Sequence, residues 1–203
     1  QAPAGEPQPL ILKASPASAD LLAEAGFDIL SLANNHSLDY GQEGLQETVR
    51  HLNNLDLGVI GVKNESETVE PLLQEINGLS FAFLAFNAVT DPQPHASCAS
   101  LEGCSSSVVP WDPATSPQAI TAARALADAL IVSIHWGFED HPLPDPSQEA
   151  VARAMLDAGA DLIVGHHPHF PQRLTVHGDQ LVAYSLGHFL FDQDQDGKDR
   201  GLA

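Results

Sequence analysis

The chain has 203 residues and carries 8 Lys+Arg against 27 Asp+Glu, a formal net charge of −19. So acidic a surface repels phosphate backbones and anionic lipid heads, which argues against nucleic acid and membrane surfaces as partners; it suits a protein that concentrates cations or one adapted to high salt. A hydrophobic fraction of 43% is that of a globular chain long enough for one sizeable domain, and no run approaches the ~20 apolar residues of a membrane helix.

The opening QAPAGEPQPL has neither the basic start nor the apolar run of a secretory signal. Residues 1–14 are expected to be a tail or connecting segment, with the domain proper over 15–203. Ser15-Pro16 predicts an N-cap followed by proline at the first helical position. Leu21, Leu22 and Ala25 stripe that helix, and Gly26 stops it. FDILSLA (27–33) predicts a buried strand, and Leu45, Val49 and Leu52 give a helix from about Glu43 to Asn53 its apolar face. LGVIGV and LSFAFLAF predict further strands, the second entered through Asn77-Gly78, a hairpin signal.

Residues 87–117 form one long irregular region, rich in Pro, Ser and Asp, of a size that is uncommon unless functional or mobile. Cys98 and Cys104 within it are spaced for a small surface disulfide or stand as two loop thiols. Order is expected to return with a helix over roughly 117–128, the strand ALIVSIHW, a helix from Ser147 to Ala158 and the strand DLIVG. LTVHGDQLVAYSL reads as two strands joined at Gly178-Asp179. Strands alternating with helices predict an α/β fold with a mainly parallel sheet.

AEAGFDILSLANNH and LDAGADLIVGHHPH share one plan, and ADALIVSIHWG repeats it loosely: helix, stop, apolar strand, then a cluster of ligand-type residues. Sites in open α/β sheets form at the carboxyl ends of strands, so three such ends can converge. The candidates are Asn34, Asn35 and His36 after one strand, His135 and Glu139 after another, His166, His167 and His169 after a third, and His188 in YSLGHF. Imidazole binds Zn, Mn, Fe or Ni, and an amide oxygen suits the harder of these. On extended chain, His167 and His169 would place both rings on one side, to chelate one ion or flank two. Stacking imidazoles for stability alone would be costly to desolvate. Asp39 is expected to cap the turn into the following helix, and His51, His95, His141 and His177 to be solvated. A nucleophile elbow, a P-loop and a dinucleotide fingerprint are all lacking from the sequence.

AGFDILSLANNHSLDYG, VSIHWGFED, AGADLIVGHHPHFPQ and LVAYSLGHFLFDQ occur in that order between about Ser15 and Gln193. Together they resemble the capsule-synthesis family CapA, the poly-γ-glutamate synthesis group. The resemblance implies a calcineurin-like metallophosphoesterase fold, a four-layer β-sandwich flanked by helices, with a site for two divalent ions (Mn, Zn or Fe). It implies Asn35, His135, His167 and His169 as metal ligands, with His166 as a further candidate. His36 is implied to face the substrate oxyanion, and Glu139 to line the site or orient His135; Asn34 is a candidate substrate contact, and His188 either a substrate contact or an added ligand. The family carries a Gly-Asp strand end and an Asn-x-Glu segment ahead of the first helix, which residues 1–14 do not match. The chain is therefore expected to be truncated at its start and, by the strands still wanting, at its end. The family's usual Ser-Leu-Gly-Asn reads Ser185-Leu186-Gly187-His188 here. Capsule or exopolymer synthesis follows as the expected function, with an anionic polymer or phosphoester as substrate. Other capsule-synthesis membrane proteins follow as possible partners, and the cell envelope as location. A non-catalytic polyanion-binding or scaffolding module on the same fold is the alternative, and a phosphoesterase acting on an unrelated small ester is a third.

Overall fold

The longest apolar runs of the sequence become the middle of one sheet. A computed structural model describes residues 11–63, 69–89 and 108–188. Its elements are α1 (Ala17–Glu24), β1 (Ile29–Ser31), α2 (Gly41–Asn53), β2 (Gly58–Ile60), β3 (Leu72–Ile76), β4 (Leu79–Asn87), α3 (Ser116–Arg124), β5 (Ala129–His135), α4 (Pro146–Asp157), β6 (Leu162–His166), β7 (Leu174–His177) and β8 (Gln180–Ala183). The main sheet runs β3-β4-β5-β6-β8-β7, and β1 pairs with β2 in a small sheet. Strands β4, β5, β6 and β8 are parallel neighbours, while β3 and β7 close the edges antiparallel.

Alternation along each strand assigns the two faces of the main sheet. Ala82, Leu84 and Phe86 of β4, with Leu130, Val132 and Ile134 of β5, share a core with Ile120 and Ala123 of α3 and Ala152, Met155 and Leu156 of α4. Phe83 and Ala85 point the other way, against Ile29, Ala33 and Ile60 of the small sheet and its exit. Helix α2 lies against β2 on the far side. The order is therefore helix, sheet, sheet, helix: the α/β fold that the strand–helix alternation predicts, in the four layers that the family resemblance implies.

The hairpin between β3 and β4 turns at Asn77 (φ 53°) and Gly78 (φ 83°), the paired positive angles of a tight type I′ turn. Helix α4 starts at an Asp145 side chain that accepts from the N–H groups of Ser147 and Gln148, while Gln148 accepts from the Asp145 N–H. Gln148 then donates to Gln172, and Gln172 to the His141 carbonyl, through buried amides that tie two loops together. The start of α1 departs from expectation. Pro16, already helical at φ −49°, takes the cap position, and the helix begins at Ala17 with no side-chain cap. The Ser15 carbonyl accepts the Ser18 N–H instead. At the end of the expected tail, Leu12 donates its N–H to Asp39. Cys98, Cys104 and His95, with most of the irregular stretch, lie outside the described residues.

Candidate metal centre

Register aligns Asn87, His135 and His166 in one row across the carboxyl ends of β4, β5 and β6. By strand alternation that row faces the small sheet, and the segment leaving β1 brings Asn35 to it. His135 Nε2 lies 2.9 Å from Asn35 Oδ1, and His135 Nδ1 lies 2.7 Å from His166 Nδ1. His166 Nε2 is in turn 3.0 Å from Ser133 Oγ. Burial first, and then the neighbouring histidines, holds His135 far below the usual imidazole range. Burial likewise brings His166 down to about 4, with His167 adding to it. His167 is lowered by burial too, although the Glu139 carboxylate pulls it back up. Each ring is thus kept neutral, the form that ligates metal.

After β6 the chain does not stay extended, contrary to the simple reading of His-x-His. His167 (φ 102°) and His169 (φ 64°) both occupy the left-handed region, which costs a non-glycine residue of order 1 kcal/mol and clusters at functional sites. The bend still brings the rings together, with centroids 6.0 Å apart. The Pro168 carbonyl accepts the Asp140 N–H at 2.9 Å, which fastens the loop after β5 to this bend and brings Glu139 alongside. One ligand atom each from Glu139, His167 and His169 falls within a 4.8 Å group. Glu139 Oε1 is 3.8 Å from His169 Nε2, so this carboxylate sits with the terminal histidines rather than orienting His135. On the other side of His169, Nδ1 meets His188 Nε2 at 2.9 Å. His188 is held there because Gln172 donates to the Ser185 carbonyl and Leu186 to that of Gly165.

Asp39 is not a helix cap. Tyr40 takes that position at the start of α2, without a side-chain bond. The Asp39 side chain is 1% exposed, and its Oδ2 lies 2.9 Å from His36 Nδ1. Asn34 Oδ1 accepts the His36 N–H at 2.8 Å, a local turn that sets the backbone from which His36 projects. Asn35, His135, His166, His167, His169, Glu139 and His188 are linked through the contacts above and through the His135 and His167 rings, whose centroids lie 4.5 Å apart. Ser133 and Asp39 are the participants that sequence reasoning missed. Ser133 precedes His135 by two on a strand and therefore shares its face, a period that could have found it. Of the histidines expected to be solvated, His141 is exposed beside Phe138. His51 and His177 are half-buried, bonded to the Pro16 carbonyl and the Thr175 hydroxyl.

Residues 2–193 match the bacterial capsule synthesis protein family PGA_cap. The chain belongs to that family. Among its relatives, the capsule biosynthesis protein CapA of Bacillus anthracis is 38% identical over 187 residues, covering 90% of this chain and 44% of its own length. The PGA biosynthesis protein CapA of Bacillus subtilis is 35% identical over 184 residues, covering 90% and 47%. The chain thus spans about half the length of the curated relatives it matches. A phosphatase from Mycoplasma pneumoniae superposes with a TM-score of 0.55 at 16% identity, over 85% of this chain and 55% of the other. That likeness is one of fold: this PGA_cap chain shares the architecture of that solved structure. Among the described residues no helix is long and apolar enough to cross a membrane.

Proposed function

We propose that the chain serves capsule or exopolymer synthesis through a metal-dependent site of phosphoesterase type, with an anionic polymer of the poly-γ-glutamate kind or a phosphoester as substrate. The observation that carries this reading is the Glu139, His167 and His169 cluster, which adjoins the Asn35–His135 pair. Neutral imidazoles with one carboxylate and one amide oxygen form a donor set that fits Mn, Zn or Fe. Glu139, His167 and His169 would hold one ion, and Asn35 with His135 a second. Bound ions of this class polarise a phosphoryl oxygen and supply an activated water. Asp39 keeps the His36 proton at Nδ1, so Nε2 is the atom offered to substrate. His188 holds His169 at Nδ1, which leaves the Nε2 of that ring toward Glu139. An envelope location and capsule-synthesis membrane proteins as partners are part of the same proposal.

The test is metal content and turnover on the same protein. The metal-stripped chain is expected to take up Mn²⁺ or Zn²⁺, and the double variant His167→Ala, His169→Ala to lose most of it. Hydrolysis of a generic phosphodiester should require the added ion and vanish in His36→Ala. A chain that binds no divalent ion would sink this reading. Metal uptake without turnover would favour the polyanion-binding module, for which Glu139, as the one carboxylate in the cluster among the described residues, already speaks.

A further inference from the structure

We propose that Ser133 and His166 form a reversible hydrogen-bonded relay behind His135, which sets the tautomer His135 presents to a metal ion. The inference rests on the reading of His135 as a metal ligand, and deepens it by naming positioning residues beneath it.

A neutral imidazole carries one N–H, and an amide oxygen only accepts. With no ion between them, the 2.9 Å contact of His135 Nε2 with Asn35 Oδ1 therefore requires the proton on Nε2. His135 Nδ1 is then an acceptor, so the 2.7 Å contact must be His166 Nδ1–H donating to it. That leaves His166 Nε2 without a proton, and it accepts the Ser133 hydroxyl at 3.0 Å. The row has one polarity, running from Ser133 toward Asn35. The opposite polarity would set the Nε2 lone pair against the Asn35 oxygen.

An ion held by His135 Nε2 demands that opposite polarity. Nε2 gives up its proton and Nδ1 carries one, donating to His166 Nδ1. His166 now carries its proton on Nε2 and donates to Ser133 Oγ, which turns from donor to acceptor. The count balances: one proton leaves His135 Nε2 for water, and one enters from water at the Ser133 end, so neither ring changes charge. A hydroxyl is suited to the far end because it both donates and accepts. A carboxylate there would serve only one polarity, an ammonium only the other, and a methyl group neither. Burial supports exchange of tautomers over protonation, since His135 is 8% exposed.

The two states are not equally hurt by loss of the hydroxyl. Without it the metal-free row leaves an imidazole acceptor unfilled, whereas the metal-bound row leaves a buried N–H with no acceptor, the rarer and costlier defect. Removal should therefore weaken metal binding. Zn²⁺ titrated calorimetrically into the metal-stripped chain, in wild type, Ser133→Ala and Ser133→Thr, gives the first readout. Ser133→Ala should weaken binding about 10- to 100-fold, the usual effect of losing a partner behind a ligand. Ser133→Thr keeps the hydroxyl and should stay within about threefold of wild type. The second readout is ¹⁵N NMR of the ring nitrogens of His135 and His166 in wild type, which should show the protonated nitrogen changing in both rings on Zn²⁺ addition. This measurement decides the matter even if Ser133→Ala does not fold. Zn²⁺ binding that is equal in wild type and Ser133→Ala, or a His166 tautomer that ignores the ion, overturns the relay and leaves the metal site standing. A wild-type chain that binds no Zn²⁺ overturns the metal reading and the relay with it.

Discussion

His36 and Asp39 are three residues apart, and the turn between them folds the carboxylate back onto the imidazole at 2.9 Å. Asp39 also accepts the Leu12 N–H, so it joins the end of the first segment to the site. A buried carboxylate on Nδ1 fixes which nitrogen of His36 carries its proton, and with it the role of the other. Asp39→Asn keeps the shape and removes the charge. Turnover of a phosphodiester should fall by about 10²-fold, the low end for loss of acid–base assistance, with metal content unchanged. Undiminished turnover would relegate Asp39 to a structural brace. The histidines were legible one by one because imidazoles at strand ends are rare and costly. Asp39 and Ser133 were not, because each is a common residue whose meaning depends on the side chain it meets.

Strand β6 shows how an element sets a site. Its last residues, Gly165 and His166, alternate faces, with His166 toward the candidate metal site and Gly165 toward the crowded side. A Cβ at Gly165 would come within 2.1 Å of the Tyr184 carbonyl oxygen and 2.4 Å of Trp136 Nε1, groups already hydrogen-bonded to each other at 2.7 Å. Backbone and a buried indole leave no soft direction in which to yield. Gly165→Ala should cost at least about 3 kcal/mol, at the upper end for overpacked cores, read as a lower urea midpoint at unchanged slope. A loss under about 1 kcal/mol would mean that β6 can slide, since such substitutions are cheap only where neighbours move. Element identity and order followed the sequence closely, from the Asn77-Gly78 hairpin to the Gly178-Asp179 turn. Helix ends were less faithful, as at the start of α1 at Pro16 and the end of α3 at Arg124, because caps depend on the angles of a few residues.

At the scale of the whole molecule, a net charge of −19 surrounds a site whose expected substrate is an anion. Long-range repulsion is screened as the Debye length shrinks from ~30 Å at 0.01 M salt to ~8 Å at 0.15 M. The KM for an anionic phosphodiester should therefore fall across that range, while Mn²⁺ binding should weaken because the same field attracts cations. A KM that rises with salt would show that local cationic groups, not the acidic surface, govern substrate approach. The layered order helix, sheet, sheet, helix places the candidate site between the two sheets, where the segment leaving β1 contributes Asn35 and the main sheet contributes His135 and His166.

The sequence by itself determined the alternation of strands and helices, the apolar faces and the places where imidazoles leave strand ends, because all of these are local periodicities. It also carried the family, through four long segments in fixed order. Tertiary structure alone decided the partners: His135 with Asn35 across 100 positions, His169 with His188, and Glu139 with the terminal histidines. The left-handed angles at His167 and His169 also depend on it, since isolated chain disfavours them and surrounding contacts hold them. Spacing along a chain names the groups able to bind a metal ion; only the register of β4, β5 and β6 makes them meet.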